Sequence, residues 1–216
     1  GNATDFGDRT VTLNGPGGLA NQTRGIFAGG GSPNPQSDVI DFVTIASTGD
    51  ATDFGNMTSA NKNPAGMASP TRGLLVHGGD PVTNVIDFIT IATAGNAQDF
   101  GDTTVAMEGA IAASSTTRGV IAGGVVSPAE NNTISFVTIA SAGNATDFGD
   151  LTQARQEGAG ISNSIRVCFA SGGVPSAYNN IDFVTIATTG NATDFGDTLT
   201  SFGYRGGASD SHGGLS

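Results

Sequence analysis

Residues able to do acid–base or nucleophilic chemistry are few in this chain of 216 residues. It has two histidines, His77 and His212, one cysteine, Cys168, and two tyrosines, Tyr178 and Tyr204. The chain lacks the Gly-x-Ser-x-Gly motif that presents a nucleophilic serine on a sharp turn. One cysteine cannot form an intramolecular disulfide or a cysteine-based zinc site. The sequence therefore predicts a protein that is not an enzyme and has no catalytic residues.

Carboxylates recur in a fixed context. The tetrapeptide Asp-Phe-Gly-Asp, once with Asn in the last place, occurs at 5–8, 53–56, 99–102, 147–150 and 194–197. Oxygen-bearing side chains around a glycine are ligands of the kind that Ca²⁺ takes. Asp and Asn also form side-chain turns in which a glycine adopts positive φ. We expect a structural turn and no cofactor, with a structural Ca²⁺ ion at these turns as the alternative.

These tetrapeptides mark an internal repeat with periods of 48, 46, 48 and 47 residues. Periods of this size are typical of repeat architectures. Each complete unit carries an arginine that opens an apolar run, then a glycine pair, then a segment close to Ile-Asp-Phe-x-Thr-Ile-Ala. Only the stretch between the glycines and this segment varies in length, so length variation is confined to one loop per unit.

Each unit contains four predicted strands, since its apolar runs are short, β-branched and bounded by turn residues. The first strand is rich in small residues and is expected at 17–21, 65–69, 110–114 and 158–162, with a fifth copy at 206–210. The second begins at the arginine, the third is the Ile-Asp-Phe segment, and the fourth includes the Asp-Phe-Gly tetrapeptide. Four-stranded units of about 47 residues are typical of propeller blades. We therefore predict an all-β, single-domain β-propeller over residues 1–216, with four full repeats and a partial fifth.

The partial fifth unit consists of a fourth-type strand at the start of the chain and a first-type strand at its end. These two strands are not neighbours within a blade. Either they pair elsewhere, including with another subunit, or the array is not a simple closed ring. The sequence leaves both alternatives open.

The recurrent arginines can form ion pairs with the recurrent aspartates, because the planar guanidinium binds a carboxylate in bidentate fashion. We predict structural ion pairs between these two sets of residues. The arginines are Arg24, Arg72, Arg118 and Arg166, and the aspartates are Asp5, Asp53, Asp99, Asp147 and Asp194.

Charge excludes one class of partner. The chain carries 19 acidic against 8 basic residues, for a formal charge of −11. Phosphate would be repelled, so we expect no nucleic-acid partner. No apolar run approaches the roughly 18 residues that span a bilayer, so we expect no membrane insertion.

The glycine pair that follows the second strand of each unit resembles that of kelch-type β-propellers, which carry a glycine pair at the same place. The chain departs from them in having no tryptophan. The segment Gly-Asn-Ala-Thr-Asp-Phe-Gly-Asp at 143–150, together with Ile-Asp-Phe-Val-Thr-Ile-Ala, is similar to repeat arrays in virion and tail-fibre proteins of tailed phages, particularly those of cyanobacteria. That resemblance implies a non-enzymatic, extracellular virion protein of the tail or capsid surface.

Binding residues are expected on the loops that vary between units, because a rigid scaffold leaves its loops free to change. In an up-and-down blade the loop between the second and third strands, which varies in length, lies on the same face as the loop between a fourth strand and the next first strand, which varies in sequence. The tyrosines on this face have the apolar faces and polar tips that suit a carbohydrate. The candidates are Asn34, Gln36, Asn61, Lys62, Arg155, Gln156, Tyr178, Asn179 and Tyr204.

Two functions follow as expectations. In the first, the module binds a host surface receptor, expected to be a glycan, through this loop face as part of a tail fibre or spike. In the alternative, it is a purely structural virion, fibre or decoration protein with no ligand. The predicted partners are other virion proteins, a host glycan or receptor and, through its unpaired strands, further copies of the chain in a homo-oligomer.

Overall fold

The chain folds into β-strands throughout the part that the structure describes. The computed structural model describes residues 1–31, 35–173, 176–203 and 206–208. Its strands form four antiparallel four-stranded sheets and one two-stranded hairpin. Among the described residues there is no helix long and apolar enough to cross a membrane. The predicted all-β class is confirmed.

Sheets 1 and 2 contain the first two complete repeats, and in each sheet the strands pair in chain order. Sheet 1 consists of β1 (Gly17–Ala20), β2 (Arg24–Ala28), β3 (Val39–Thr44) and β4 (Thr52–Asn56). Sheet 2 consists of β5 (Ala65–Ala68), β6 (Arg72–Val76), β7 (Thr83–Thr90) and β8 (Gln98–Met107).

Sheets 3 and 4 follow the same plan, with one addition. The hairpin of β11 (Val125–Val126) and β12 (Ala129–Glu130) lies in the length-variable loop of sheet 3 and was not predicted. Sheet 3 consists of β9 (Ile111–Ser114), β10 (Arg118–Ala122), β13 (Thr133–Thr138) and β14 (Thr146–Asp150). Sheet 4 consists of β15 (Ala159–Ser162), β16 (Arg166–Gly172), β17 (Tyr178–Thr185) and β18 (Thr193–Asp197).

The Asp-Phe-Gly tetrapeptide lies within the fourth strand of each complete sheet, where the register with the third strand shifts by a bulge. In sheet 2 the carboxylate of Asp99 accepts the backbone N–H of Gly101 at 3.0 Å, and Gly101 has φ +142°. A Cβ on Gly101 would lie 2.6 Å from the backbone of Gly143 in the next sheet. The glycine is therefore required both by its conformation and by the close approach of the neighbouring sheet.

The hydrophobic core lies between consecutive sheets rather than within one sandwich. Three clusters of buried residues each combine side chains from a sheet and the sheet that follows it, and we call each such contact a junction. Across the three junctions a phenylalanine of the fourth strand is buried in the same cluster as an isoleucine of the next sheet. The pairs are Phe54 with Ile91, Phe100 with Ile139, and Phe148 with Ile186.

An arginine bridges every junction. The Nη1 atoms of Arg24, Arg72 and Arg118 donate to carbonyl oxygens of the next sheet, at 2.7, 3.0 and 2.6 Å. The acceptors belong to the three isoleucines just named. Each guanidinium also lies over the phenylalanine of its own third strand, 4.2–4.6 Å from the ring centroid.

The predicted ion pairs between the recurrent arginines and aspartates are therefore wrong. Arg24, Arg72, Arg118 and Arg166 take part in no ion pair within the described ranges, and Arg166 instead lies over Phe183. The aspartates are exposed at the outer strand, and three of the four guanidinium groups reach across to the next sheet instead. The exposed aspartates are Asp5, Asp53, Asp99, Asp147 and Asp194.

The first strands of the four sheets lie side by side, with β5 against β1, β9 against β5 and β15 against β9. Small side chains permit this approach, since a Cβ on Gly66 or Gly160 would collide with the carbonyl of the preceding first strand. Ser114 and Ser162 add hydrogen bonds of 2.8 Å to backbone carbonyls of the strand before them. These strands line a cavity of about 650 Å³, which we call the central cavity.

The two chain ends continue the pattern of junctions. Gly49 and Ala51 donate their N–H groups to the carbonyls of Phe6 and Asp8 at 2.7 and 2.8 Å, so residues 1–8 contact sheet 1 as β4 contacts sheet 2. At the other end, residues 206–208 line the central cavity, and Gly207 lies against Gly160 of β15. Residues 1–8 thus contact sheet 1 as a fourth strand does, and residues 206–208 contact sheet 4 as a first strand does.

Candidate functional site

Two of the predicted binding residues are buried parts of the framework. The Oδ1 atom of Asn61 accepts the N–H groups of Gly78 and Gly79 at 2.5 and 3.0 Å. Its backbone carbonyl accepts the N–H of Gly30 at 3.0 Å. Asn61 therefore ties the glycine pairs of two adjacent sheets together, and its assignment to a ligand site is wrong.

Arg155 is the second such residue, and it is completely buried. One of its Nη atoms contacts the carboxylate of Asp182, and Nη1 donates to the carbonyl of Asn180 at 2.9 Å. Burial lowers the pKa of this guanidinium from its ordinary value, while the attraction of Asp182 opposes that change. A cation enclosed in this way holds the junction together and does not reach a ligand in solvent.

The Arg155–Asp182 pair belongs to a recurring arrangement that the sequence did not reveal. The aspartate of the Ile-Asp-Phe segment is fully buried in sheets 1, 2 and 4. Each carboxylate receives a threonine hydroxyl from the segment that precedes its sheet, together with one basic side chain. The sets are Asp41 with Thr10 and Arg9, Asp87 with Thr58 and His77, and Asp182 with Thr152 and Arg155.

Sheet 3 carries Ser135 at this position, which we call the carboxylate position. Buried carboxylates need a hydrogen-bonded partner, and a serine does not need a cation. The one sheet without the aspartate is also the one for which no basic partner occurs among the described residues. In these three units a threonine lies five residues after the first Asp of the preceding tetrapeptide. Thr104 holds the same place before sheet 3, so this spacing alone does not reveal the arrangement.

The remaining described candidates are tied, to different degrees, to neighbouring loops. Lys62 lies 4.0 Å from the carboxylate of Glu108, and the carbonyl of Gln156 accepts the N–H of Gly173 at 2.7 Å. The carbonyl of Asn179 accepts the N–H of Thr198 at 2.6 Å. Gln36 is half-buried beside Gly31. The other two candidates, Asn34 and Tyr204, lie outside the described residues.

Tyr178 belongs to a group of aromatic and polar side chains on these loops. Its hydroxyl donates to the carboxylate of Glu130 at 3.0 Å, across from β17 to the hairpin of sheet 3. This hydrogen bond, with a smaller contribution from burial, raises the pKa of Tyr178, and Gln153 makes a further hydrogen bond to it. The three side chains bring a half-buried ring, a carboxylate and an amide together.

The central cavity has polar groups at one end. Asn63 Nδ2 donates to Glu157 Oε1 at 3.3 Å, and a Cβ on Gly109 would lie 3.2 Å from that same oxygen. Burial raises the pKa of Glu157, and Glu108 adds repulsion while Asn63 and Lys62 oppose the change. The walls of the cavity are mostly glycine and alanine.

The Asp-Phe-Gly tetrapeptides show the geometry of side-chain turns. Besides Asp99, Asp5 and Asp194 accept the N–H of the glycine two residues later, at 3.2 and 3.0 Å. Within the described ranges no three His, Cys, Asp or Glu side chains come close enough together to hold a metal ion.

One face of the molecule differs from the three junctions. We use the name open face for the side of sheet 4 that bears Ile161, Arg166, Phe195 and Gly196. Phe195 is 59% exposed, whereas the equivalent Phe54, Phe100 and Phe148 are each 2% exposed. A Cβ on Gly196 would meet no atom within 4 Å.

Comparisons with known proteins do not identify the chain. No protein-family model matches the sequence, and no curated protein is significantly similar to it.

Proposed function

We propose that the four sheets are blades of a β-propeller with five positions around the central cavity. The adjacency of the first strands and the cavity that they line support this arrangement. Residues 1–8 and 206–208 then supply the outermost and innermost strands of the fifth blade. This assignment favours the alternative in which the strands at the two chain ends pair with strands outside the four sheets.

As its function we propose a non-enzymatic structural module of a phage virion, in a fibre, spike or decoration protein, which acts by contact with other virion proteins. The observation that carries this proposal is the open face, where apolar and arginine side chains that are covered at three junctions remain exposed. The resemblance of the repeat to virion arrays supplies the setting. The proposed location is the extracellular surface of the particle.

Immunogold electron microscopy of virions that carry this protein tests the proposal. A structural module is expected to label a capsid lattice or a fibre shaft at regular positions. Labelling confined to the distal tip of a fibre would contradict the structural role and favour receptor recognition.

Receptor recognition is the second candidate, and the Tyr178–Glu130–Gln153 group favours it. An aromatic ring beside carboxylate and amide groups can stack on a sugar and hydrogen-bond its hydroxyls. A glycan array probed with the wild-type chain and with Tyr178→Ala tests this candidate. If the chain recognises a glycan receptor, the wild-type chain should bind a sugar on the array and Tyr178→Ala should not. Absence of binding by the wild-type chain would exclude receptor recognition for the sugars on the array.

A further inference from the structure

The polar end of the central cavity is formed by side chains from two loops on opposite sides of it. Asn63, in the loop before sheet 2, donates its amide N–H to Glu157, in the loop before sheet 4, at 3.3 Å. Both residues line the cavity. Lys62 and Glu108 lie next to them in the chain and are partly exposed, so this end of the cavity meets the solvent.

Asn63 and Glu157 occupy equivalent positions, two residues before the first strand of their sheets. Sheets 1 and 3 carry Gly15 and Gly109 there. All four residues have positive φ, between +50° and +67°, which glycine adopts freely and glutamate adopts rarely. Glu157 therefore places a carboxylate at the cavity in spite of a conformational cost, and such outliers cluster at binding sites.

The Glu157 carboxylate lies at this end without a cationic partner. None of the ion pairs within the described residues includes it, and Lys62 instead lies 4.0 Å from Glu108. Burial raises the pKa of Glu157, the hydrogen bond from Asn63 lowers it, and the charges of Glu108 and Lys62 act in opposite directions. An ionised carboxylate accepts several hydrogen bonds, so a cation with N–H donors would satisfy Glu157.

The remainder of the cavity suits an apolar group. Its walls are mostly glycine and alanine of the first strands, with larger apolar side chains such as Met67 and Ile111. Its volume of about 650 Å³ is typical of small-molecule sites, which combine apolar walls with a few polar groups. A ligand that fits both parts has a cationic head with N–H donors and an apolar tail.

We propose that the central cavity binds a primary alkylammonium ion, with its ammonium group at Glu157 and Asn63 and its alkyl chain along the first strands. The amide oxygen of Asn63 supplies a second acceptor, and it occupies space that a Cβ on Gly15 would fill. This ligand site goes beyond the structural role proposed above and does not depend on it.

The position of the alkyl chain distinguishes a small free amine from a lysine side chain of a protein partner. Such a lysine would enter from the solvent with its ammonium group leading. Its stem would then remain at the polar end, and the apolar walls would stay unused. The proposed ligand is therefore a free amine.

Isothermal titration calorimetry of the full chain with n-hexylammonium chloride at pH 7 tests the proposal, with 1-hexanol as the uncharged control. Hexylammonium is expected to bind, and hexanol to bind at least about tenfold more weakly, because it leaves the carboxylate unpaired. Failure of hexylammonium to bind, or equal affinity of the two compounds, would overturn the proposal. Nα-acetyllysine methylamide should bind more weakly than hexylammonium, and equal or tighter binding would contradict the position of the alkyl chain.

Two variants of the chain locate the site. Glu157→Gln removes the charge with little change in shape and should weaken hexylammonium binding at least about tenfold. The raised pKa of Glu157 makes this variant at least as stable as the wild type at neutral pH, so unfolding would not explain the loss. The matched control, Glu130→Gln, changes a glutamate of β12 and should bind as the wild type does. Unchanged affinity in Glu157→Gln, or an equal loss in both variants, would contradict the site.

The pH dependence of binding separates an ionic contact from simple filling of the cavity. An ammonium ion stabilises ionised Glu157, so affinity should rise between pH 3.5 and pH 7 by more in the wild type than in Glu157→Gln. Glu108 and Lys62 are present in both proteins, so the difference between the two profiles reports Glu157. Identical profiles would contradict the ionic contact. The virion-labelling result is independent of these measurements, so failure of the amine site would not be confused with failure of the structural role.

Discussion

Strands β14 and β18 have the same sequence, Thr-Asp-Phe-Gly-Asp, and lie in different surroundings. Both pair with the third strand of their own sheet through a bulge. Both also place the phenylalanine edge-on to the ring of that third strand, at centroid distances of 5.9 and 6.1 Å. Yet Phe148 is buried and Phe195 is exposed, because sheet 4 covers only the first of them. Local sequence forms the strand, and the neighbouring sheet determines how much that strand contributes to stability.

The largest difference is expected when each phenylalanine is truncated. Phe148→Ala leaves a cavity in a filled junction and should lower the free energy of unfolding by about 3–5 kcal/mol. Phe195→Ala removes a ring that is mostly in water and should cost less than about 1 kcal/mol. Chemical denaturation of the two variants measures both values, and equal losses would mean that the open face is covered in solution.

The buried ion pair at the junction of sheets 3 and 4 gives the next effect. Arg155→Leu leaves the Asp182 carboxylate without its cation and should destabilise the chain by about 3 kcal/mol. The double variant Arg155→Leu with Asp182→Ser copies the uncharged arrangement of sheet 3 and should recover most of that loss. Thermal unfolding of both variants measures the effect, and a double variant no more stable than the single one would show that the charge is not the cause.

Arg118 at a filled junction and Arg166 on the open face differ in what their guanidinium groups contact. Arg118→Ala removes a charged hydrogen bond to the carbonyl of Ile186 and is expected to cost about 1.5–3 kcal/mol. Arg166→Ala removes an exposed side chain that lies over Phe183, and should change stability by no more than about 0.5 kcal/mol. Denaturant midpoints of the two variants would be indistinguishable if the arginines contributed only through their own sheets.

The smallest effect concerns Glu157 at the end of the central cavity. Because its pKa is raised in the folded chain, ionisation of this carboxyl disfavours folding. The cost is fully present above the folded pKa and disappears as pH falls below the ordinary pKa of a glutamate. Glu157→Gln should therefore stabilise the chain by about 0.5 kcal/mol at neutral pH, since partial exposure screens the effect. The advantage should vanish in acid, and unfolding curves at pH 7 and pH 3.5 that differ from wild type by the same amount would contradict this cause.

The repeat made much of the fold predictable. Strand order and the start of each second strand at its arginine followed from short-range patterns that recur four times. The partner of Arg118 was not predictable in the same way, because its acceptor Ile186 lies 68 residues along the chain in the next sheet. Opposite charge predicts that the arginines pair with these aspartates, whereas in the fold the aspartates are exposed to solvent.

The candidate site was less predictable because variation between repeats has two origins. Exposed loops vary because little constrains them, and on that ground the sequence predicts Asn61 and Arg155 as binding residues. Buried contacts vary when different residues satisfy one requirement, as Arg9, His77 and Arg155 do for three equivalent aspartates. Residues of the second kind look like surface variation in the sequence although they belong to the core.

Hydrogen–deuterium exchange of β14 and β18 in the free chain measures how far a neighbouring sheet stabilises each strand. The two pentapeptides have the same sequence, so side chains within the strands cannot account for a difference in exchange between them. With the fifth position open, the amides of β18 should exchange at least about tenfold faster than those of β14, since exposed edges open more readily. Equal protection of the two strands would contradict the account, because it would mean that the free chain already covers the open face.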